Sequence, residues 1–251
     1  MTRDAPPPGY ERARVGRAEL VARHELVPAL REILAGGTVY AYAAGRPDHT
    51  RMTGRQPAYA IALPGGERVV VRHNRHGGTF AGMTRDLFHL PTRAPLELAI
   101  SARLAGAGVP TPLMLGYVVY PVAGVLARSD VMTREIAPGR DLAAALGPAE
   151  PASARAAAIA ATATLVAVLS RAGARHHDLN VKNVLLAGDV AAPTAYLLDV
   201  DRVTFHADRG HCLETNLARL ERSARKWRDR FGAPVTDDDL ARLRADAQRQ
   251  L

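Results

Sequence analysis

Hydrophobic and polar positions alternate in distinct ways along the chain. Residues 19–34 set Leu20, Val21, Leu26, Val27, Leu30 and Ile33 on roughly one face of a short helix, interrupted at Pro28. From Thr38 to His73 the pattern becomes strand-like. Val39–Tyr42, Ala58–Leu63 and Arg68–Arg72 are three candidate strands, with Pro64-Gly65-Gly66 a hairpin turn between the last two. The prolines and glycine of Met1–Gly9 predict a loose tail. Pro95 to Leu104 reads as a helix with Pro at its start and Leu96, Ile100 and Leu104 along one face. Gly116 to Leu126 is strand-like and turns at Pro121–Gly124. The Ala-rich run Ala152–Arg171 predicts a buried helix. Val184–Leu186, Ala187-Gly188-Asp189 and Ala195–Leu198 read as strand, turn, strand. Asn216–Phe231 is a basic amphipathic helix, and Thr236 caps a last helix holding Leu240 and Leu243.

The strand–turn–strand segment can bring Asp178, Asn183 and Asp199 to one end. An aspartate base and two oxygen ligands suit phosphoryl transfer to a hydroxyl. Mg²⁺ prefers carboxylate and amide oxygens together with substrate phosphates. The protein then mainly positions the groups and neutralises charge. The segment His176-His177-Asp178-Leu179-Asn180-Val181-Lys182-Asn183, followed by Asp199-Val200-Asp201, resembles the H-x-D-L-x-x-x-N and metal-binding Asp elements of the protein-kinase-like superfamily. The likeness implies an α+β, two-lobed protein-kinase-like fold, one domain over residues 1–251. Its β-rich N-lobe would span about 10–130, its hinge 131–140 and its helical C-lobe 141–251. It further implies Asp178 as base, Asn183 and Asp199 as Mg²⁺ ligands, and Lys182 as extra charge beside the transferred group. His176 reads as a core histidine bracing the catalytic loop. Asn180 stands where Ser/Thr-specific protein kinases carry Lys, so a small-molecule or sugar kinase is the nearer pattern.

The same likeness assigns a nucleotide site. Gly54 would belong to the phosphate loop, with an ordinary turn as the alternative. Arg72 would hold the ATP phosphates, or else be a solvated strand-end arginine. Glu97 would pair with Arg72, or be a first-turn acid favoured by the helix dipole. An edge strand would run into an extended linker, where adenine would use the Glu135 carbonyl and the Ala137 amide. Asp141 would bind ribose or cap the following helix.

Several ordered segments sharpen the resemblance. Arg72-His73-Asn74-Arg75-His76-Gly77-Gly78, Thr92–Glu97, Gly108-Val109-Pro110-Thr111-Pro112 and Asn216–Ser223 resemble motifs of the bacterial 3-deoxy-D-manno-octulosonic acid (Kdo) kinases. Together they run from about Gly54 to Lys226. Asn74, Gln56 and Val200 depart from that pattern. The resemblance implies ATP-dependent phosphorylation of Kdo on a lipid A precursor, an anionic glycolipid acceptor. Kinases of a protein, an aminoglycoside or another core sugar are the rival readings, with a non-catalytic nucleotide-binding protein behind them.

Composition adjusts this picture modestly. A 251-residue chain with 47% hydrophobic residues can bury a sizeable core. Its net charge of +8 suits an anionic partner, although free use of Arg accounts for part of it. Nucleic acid is not expected, because aromatic stacking platforms are missing. One cysteine, Cys212, excludes an intramolecular disulfide, and the nine histidines lack the tight spacing of structural zinc. No eighteen-residue apolar run occurs, so the expectation is a cytoplasmic protein, peripheral on the inner face of the membrane. The basic helix from Asn216 is either its contact with acidic lipid or a solvated face.

Overall fold

The computed structural model of the chain describes residues 5–52, 57–75 and 86–251. The chain divides into two compact units. The first comprises residues 1–102 and 113–135, the second residues 103–112 and 136–251.

The first unit is built on an antiparallel sheet. Its strands are β1 (Tyr10–Val15), β2 (Ala18–Arg23), β3 (Thr50–Met52), β4 (Ala58–Ala62), β5 (Arg68–His73), β6 (Phe88–His89), β7 (Met114–Ala123) and β8 (Leu126–Arg134). Their order is β1-β2-β7-β8-β5-β4-β3, with β6 also pairing β8. Two helices, α1 (Val27–Gly36) and α2 (Val39–Gly45), pack on one face around Leu20, Leu30, Ile61, Val69, Leu115 and Met132. The helix α3 (Ala94–Gly106) sets Ala94 and Leu98 against Val21, Met114 and Val131.

Several sequence expectations are corrected here. Residues 19–23 are strand, and the helix starts only at Val27, with Pro28 in its first turn, where a missing N–H costs nothing. Gly16 takes φ 54° in the two-residue turn between β1 and β2. Val39–Tyr42 is helix, not strand. Thr38 accepts a hydrogen bond from the Ala41 amide, and two further first-turn amides find side-chain acceptors. Val39 N–H donates to Tyr120 Oη at 3.0 Å, and Tyr40 N–H donates to Asp130 Oδ2 at 3.0 Å. A buried carboxylate at a helix N-terminus is favoured by both the free N–H groups and the dipole. The strand β7 continues through Pro121 to Ala123, and Gly124 with φ 54° makes the turn. Residues 130–134 lie in β8, an interior strand rather than the expected edge. Of the expected face, Ile100 and Leu104 are buried, but Leu96 is 57% exposed. Glu97, Leu98 and Ser101 are buried beside them.

Asp130 is fully buried and organises a polar network. It accepts from Tyr120 Oη at 2.8 Å and lies 2.6 Å from His73 Nδ1. His73 Nε2 is 3.2 Å from Asp86, which also accepts from Arg128 Nε at 2.8 Å. Burial acts against the imidazolium, but the two carboxylates prevail and hold the His73 pKa above its ordinary 6.5. A group with a raised folded-state pKa stabilises fully below the unfolded value. Stability from this network is therefore present below pH 6.5 and is lost as pH rises through the folded-state pKa of His73. Urea midpoints taken from pH 6 upward are expected to fall more in the wild type than in His73→Gln; parallel curves would contradict the pairing.

The second unit is mainly helical. The helices are α4 (Leu142–Ala145), α5 (Ala152–Arg171), α6 (Arg209–Phe231) and α7 (Asp237–Arg249). The strands β9 (Gly139–Asp141), β11 (Val184–Ala187) and β12 (Thr194–Leu197) form one small sheet, and β10 (Ala174–His176) pairs β13 (Val203–Phe205) in another. The boundaries of α5 are those expected. By length and hydropathy alone it could pass for a membrane span, with a mean hydropathy of 1.7. It buries Leu165, Val166 and Leu169 while packing on α6, α7, β10 and β12, as the core helix of this unit does. Helix α6 starts at Arg209, seven residues earlier than expected, because the Asp208 carboxylate caps it. Thr236 and Asp239 form a capping box at the start of α7.

Candidate active site

The loop between β10 and β11 carries the expected catalytic residues, and its shape is fixed by hydrogen bonds that the sequence supplies. His176 is fully buried. Its Nδ1 accepts from the Asp178 amide at 3.0 Å, and Nε2 lies 3.2 and 3.1 Å from the carbonyls of Leu198 and Asp199. One imidazole therefore ties the loop to the segment after β12. This geometry needs the neutral ring, and burial holds the His176 pKa below 6.5. The Asp178 carbonyl accepts from Asn180 Nδ2 at 2.8 Å and from Asn183 Nδ2 at 2.9 Å. Asn183 in turn accepts at its own carbonyl from the Leu198 amide at 2.9 Å. Loop and hairpin are thus locked to each other at both the Asn183 and Leu198 positions.

Asp199 has φ 54° and ψ 48°, and is the sole non-glycine residue with positive φ among those described. Such a conformation costs energy outside glycine and clusters at functional sites. The Asn183 amide group is spent on Asp178, which leaves its Oδ1 for a cation. Asn183 Oδ1 and the Asp199 carboxylate are both hard oxygen donors of the kind Mg²⁺ takes.

Lys182 has two neighbours of its own. Its Nζ donates to Asp141 Oδ2 at 2.9 Å and lies 5.1 Å from the centroid of the Trp227 ring. Asp141 also accepts from the Ala144 amide at 2.8 Å, so its carboxylate caps α4 and pairs with Lys182. Both carboxylate oxygens of Asp141 thus have protein partners.

The nucleotide-site residues fall as follows. Gly54 and His76–Gly78 lie outside the described residues. Arg72 is the penultimate residue of β5 and donates through Nη2 to Glu97 Oε1 on α3; Glu97 is buried and Arg72 is half-exposed. A buried Glu demands such a partner, because an isolated carboxylate is strongly disfavoured away from water. Glu135 follows β8, with its side chain paired to Arg68 and its amide bonded to the Arg68 carbonyl. Ala137 precedes a cis Pro138. Replacing Arg72 with Ala is expected to weaken ATP use by roughly tenfold or more, since it removes a charge-assisted pair. Arg72→Lys should restore part of that, because the two cations differ in reach and shape. KM for ATP measures both, and equal values for all three proteins would dismiss the pair.

Sequence reasoning underrated two residues of α6. Asn216 is fully buried. Its Oδ1 accepts from the His176 amide at 3.0 Å, and its Nδ2 donates to the Ala174 carbonyl at 3.0 Å and to Ser170 Oγ at 3.3 Å. Ser223 Oγ accepts from the Val181 amide at 3.2 Å. The segment before β7 does a similar job: the Leu197 amide donates to the Pro110 carbonyl at 2.9 Å, and Thr111 Oγ1 donates to the Leu197 carbonyl at 3.0 Å. The signal was in the family-like segments Gly108–Pro112 and Asn216–Ser223, whose polar members brace the catalytic loop and the hairpin.

Known proteins resemble this chain in sequence and in fold. A kinase named 3-deoxy-D-manno-octulosonic acid kinase from Xylella fastidiosa (strain 9a5c) is 30% identical over 221 residues, covering 86% of this chain and 84% of that protein. One of the same name from Xanthomonas euvesicatoria pv. vesicatoria is 32% identical over 194 residues, 76% of this chain and 74% of its own. Among solved structures, WaaP in complex with acyl carrier protein shares the fold, with a TM-score of 0.59 at 20% identity over 92% of this chain and 88% of that one. The family model for the lipopolysaccharide kinase (Kdo/WaaP) family matches residues 50–246. The fold is therefore kinase-like, and the chain is a phosphotransferase acting on a sugar hydroxyl, a member of the lipopolysaccharide kinase (Kdo/WaaP) family.

Proposed function

We propose that the chain transfers the γ-phosphoryl group of ATP to a hydroxyl of a Kdo residue on a lipid A precursor, at the inner face of the cytoplasmic membrane. The observation that carries this reading is the loop 176–183, in which every backbone constraint on Asp178 is met by another group and its carboxylate is not needed as a brace. Asp178 takes the proton of the acceptor hydroxyl as that oxygen bonds to the γ-phosphorus and the bond to ADP breaks. Asn183 and Asp199 would hold Mg²⁺, which when bound offsets the charge of the nucleotide phosphates. Arg72, positioned by Glu97, neutralises phosphate charge on the nucleotide. Family membership supports ATP use and a Kdo acceptor.

The membrane part of the reading draws on α6. Arg222, Lys226 and Arg230 are exposed at four-residue spacing, and none shares an ion pair with another described residue. Arg225 and Arg228 differ, since Asp237 lies within 3.8 Å of each. At the end of the helix the exposed Phe231 ring lies 4.2 Å from that of Trp227. Unpaired cations beside aromatic rings suit an anionic headgroup layer. Each basic residue near such a surface contributes about 1 kcal/mol, screened by salt. The triple change Arg222→Gln, Lys226→Gln, Arg230→Gln is therefore expected to cut partition onto anionic vesicles by roughly two orders of magnitude at low salt, with ATP affinity kept. A wild type that ignores anionic vesicles would remove the membrane from the reading.

A further inference from the structure

The ladder between β10 and β13 places Arg175 opposite Thr204 and His176 opposite Val203. Alternation along the strand turns His176 into the core and leaves Arg175 and His177 on the other face. Thr204 Oγ1 lies 2.8 Å from His177 Nε2 and 2.8 Å from His206 Nε2, so one hydroxyl joins two imidazoles. Burial, and after it the charges of Arg175, of Arg219 on α6 and of His206, depress the pKa of His177. The ladder thus places Arg175, His177 and His206 together around Thr204, with Arg219 near enough to act on His177 through its charge.

Among the described residues neither Arg175 nor Arg219 makes an ion pair, and Arg175 Nε is buried without a hydrogen-bond partner. Asp208, the carboxylate next to this group in the chain, caps α6 through the His211 amide and pairs with neither arginine. A buried donor left unpaired needs a reason, and like charges held together destabilise a fold. A bound oxyanion supplies both the missing acceptor and the missing charge.

We propose that Arg175, His177, His206 and Arg219 form a cradle for an oxyanion of the acceptor, which orients the sugar so that its hydroxyl meets Asp178. The proposal rests on the reading of the acceptor as an acidic glycolipid, and deepens it by naming the residues that select for acidity. An Arg fork matches a carboxylate or phosphate in two parallel hydrogen bonds, and fixing one end of a sugar ring orients its hydroxyls. His177 and Arg219 act as positioning residues in this scheme, not as proton carriers.

The test titrates free Kdo, its methyl ester and inorganic phosphate into the wild type, His177→Gln and Arg219→Gln, each first shown to keep the wild-type melting temperature. Kdo should bind at least about tenfold tighter than its ester, and each variant should lose about tenfold or more of the acid affinity while the ester is unaffected. Phosphate binding that falls in the same variants would identify a phosphate of the glycolipid as an occupant; no loss leaves the carboxylate as the one held. In turnover, the variants should raise KM for the acceptor more than they lower kcat, and Arg219→Lys should recover part of the loss. Variants that bind acid and phosphate as the wild type does, or a wild type that treats acid and ester alike, would overturn the cradle. A wild type that binds Kdo through these residues yet never phosphorylates it would refute the activity and leave the cradle standing.

Discussion

Asp178→Asn should lower kcat by roughly 10²–10⁴, the usual scale for a general acid–base group, while ATP still binds. The substitution is isosteric, and none of the bonds that hold residue 178 uses its carboxylate. Its amide donates to His176 Nδ1, and its carbonyl accepts from Asn180 and Asn183. The loop should therefore keep its shape, and the loss can be attributed to the missing base. Two measurements separate the effects: single-turnover transfer from labelled ATP, and equilibrium binding of a non-hydrolysable ATP analogue. Near wild-type turnover would take Asp178 out of the mechanism. Equal loss of transfer and nucleotide affinity would show that the loop had collapsed.

The largest stability effect is expected from Asn216→Ala. Asn216 is fully buried and serves three partners at once: the His176 amide, the Ala174 carbonyl and Ser170 Oγ. Truncation leaves the first two without their bond to the Asn216 amide in a site closed to water. An unsatisfied buried group costs about 1–3 kcal/mol, so the loss should be about 2–5 kcal/mol. It should also reach activity, because the strand that loses its anchor ends in His176, which holds the Asp178 amide. Urea unfolding gives the first quantity and kcat at a permissive temperature the second. A cost below about 1 kcal/mol would mean that water replaces the side chain without penalty.

How much of this was legible in the sequence depends on how local the cause was. The boundaries of α5 and the hairpin of β11 and β12 were readable, since periodicity and turn residues act within a few positions. Thr236 was readable for the same reason. The hairpin of β1 and β2 was missed because Arg12, Arg14 and Glu19 break its apolar alternation, although Arg12 and Glu19 pair across it at 2.8 Å. Residues 39–42 are β-prone by composition. Their helix is decided partly by Asp130 and Tyr120, which lie some eighty to ninety residues away and take its first amides. Ile100 and Leu104 are buried as their spacing suggested, but Leu96 is not: the packed face is turned toward Glu97, which Arg72 makes tolerable.

The candidate site shows the same division. Asp178, Asn183 and Asp199 were visible as residue types at telling intervals, and the structure joins the loop that holds the first two to the segment that leads into the third. The pairing of Lys182 with Asp141 was not legible, because the two are 41 residues apart and a helix cap could be named without naming what else it binds. Asn216 and Ser223 looked like surface positions of a basic helix. Only their contacts with His176 and Val181 reveal them as supports of the catalytic loop.

The central claim is the acceptor, and one measurement bears on it most directly. The protein is incubated with γ-labelled ATP, Mg²⁺ and, in parallel, a Kdo-bearing lipid A precursor, the same lipid without Kdo, an aminoglycoside and a protein substrate, and the labelled product is located by mass spectrometry. The account predicts label on the Kdo residue alone, dependent on Mg²⁺ and lost in Asp178→Asn. Label on the Kdo-free lipid or on protein, with the Kdo lipid untouched, would contradict it.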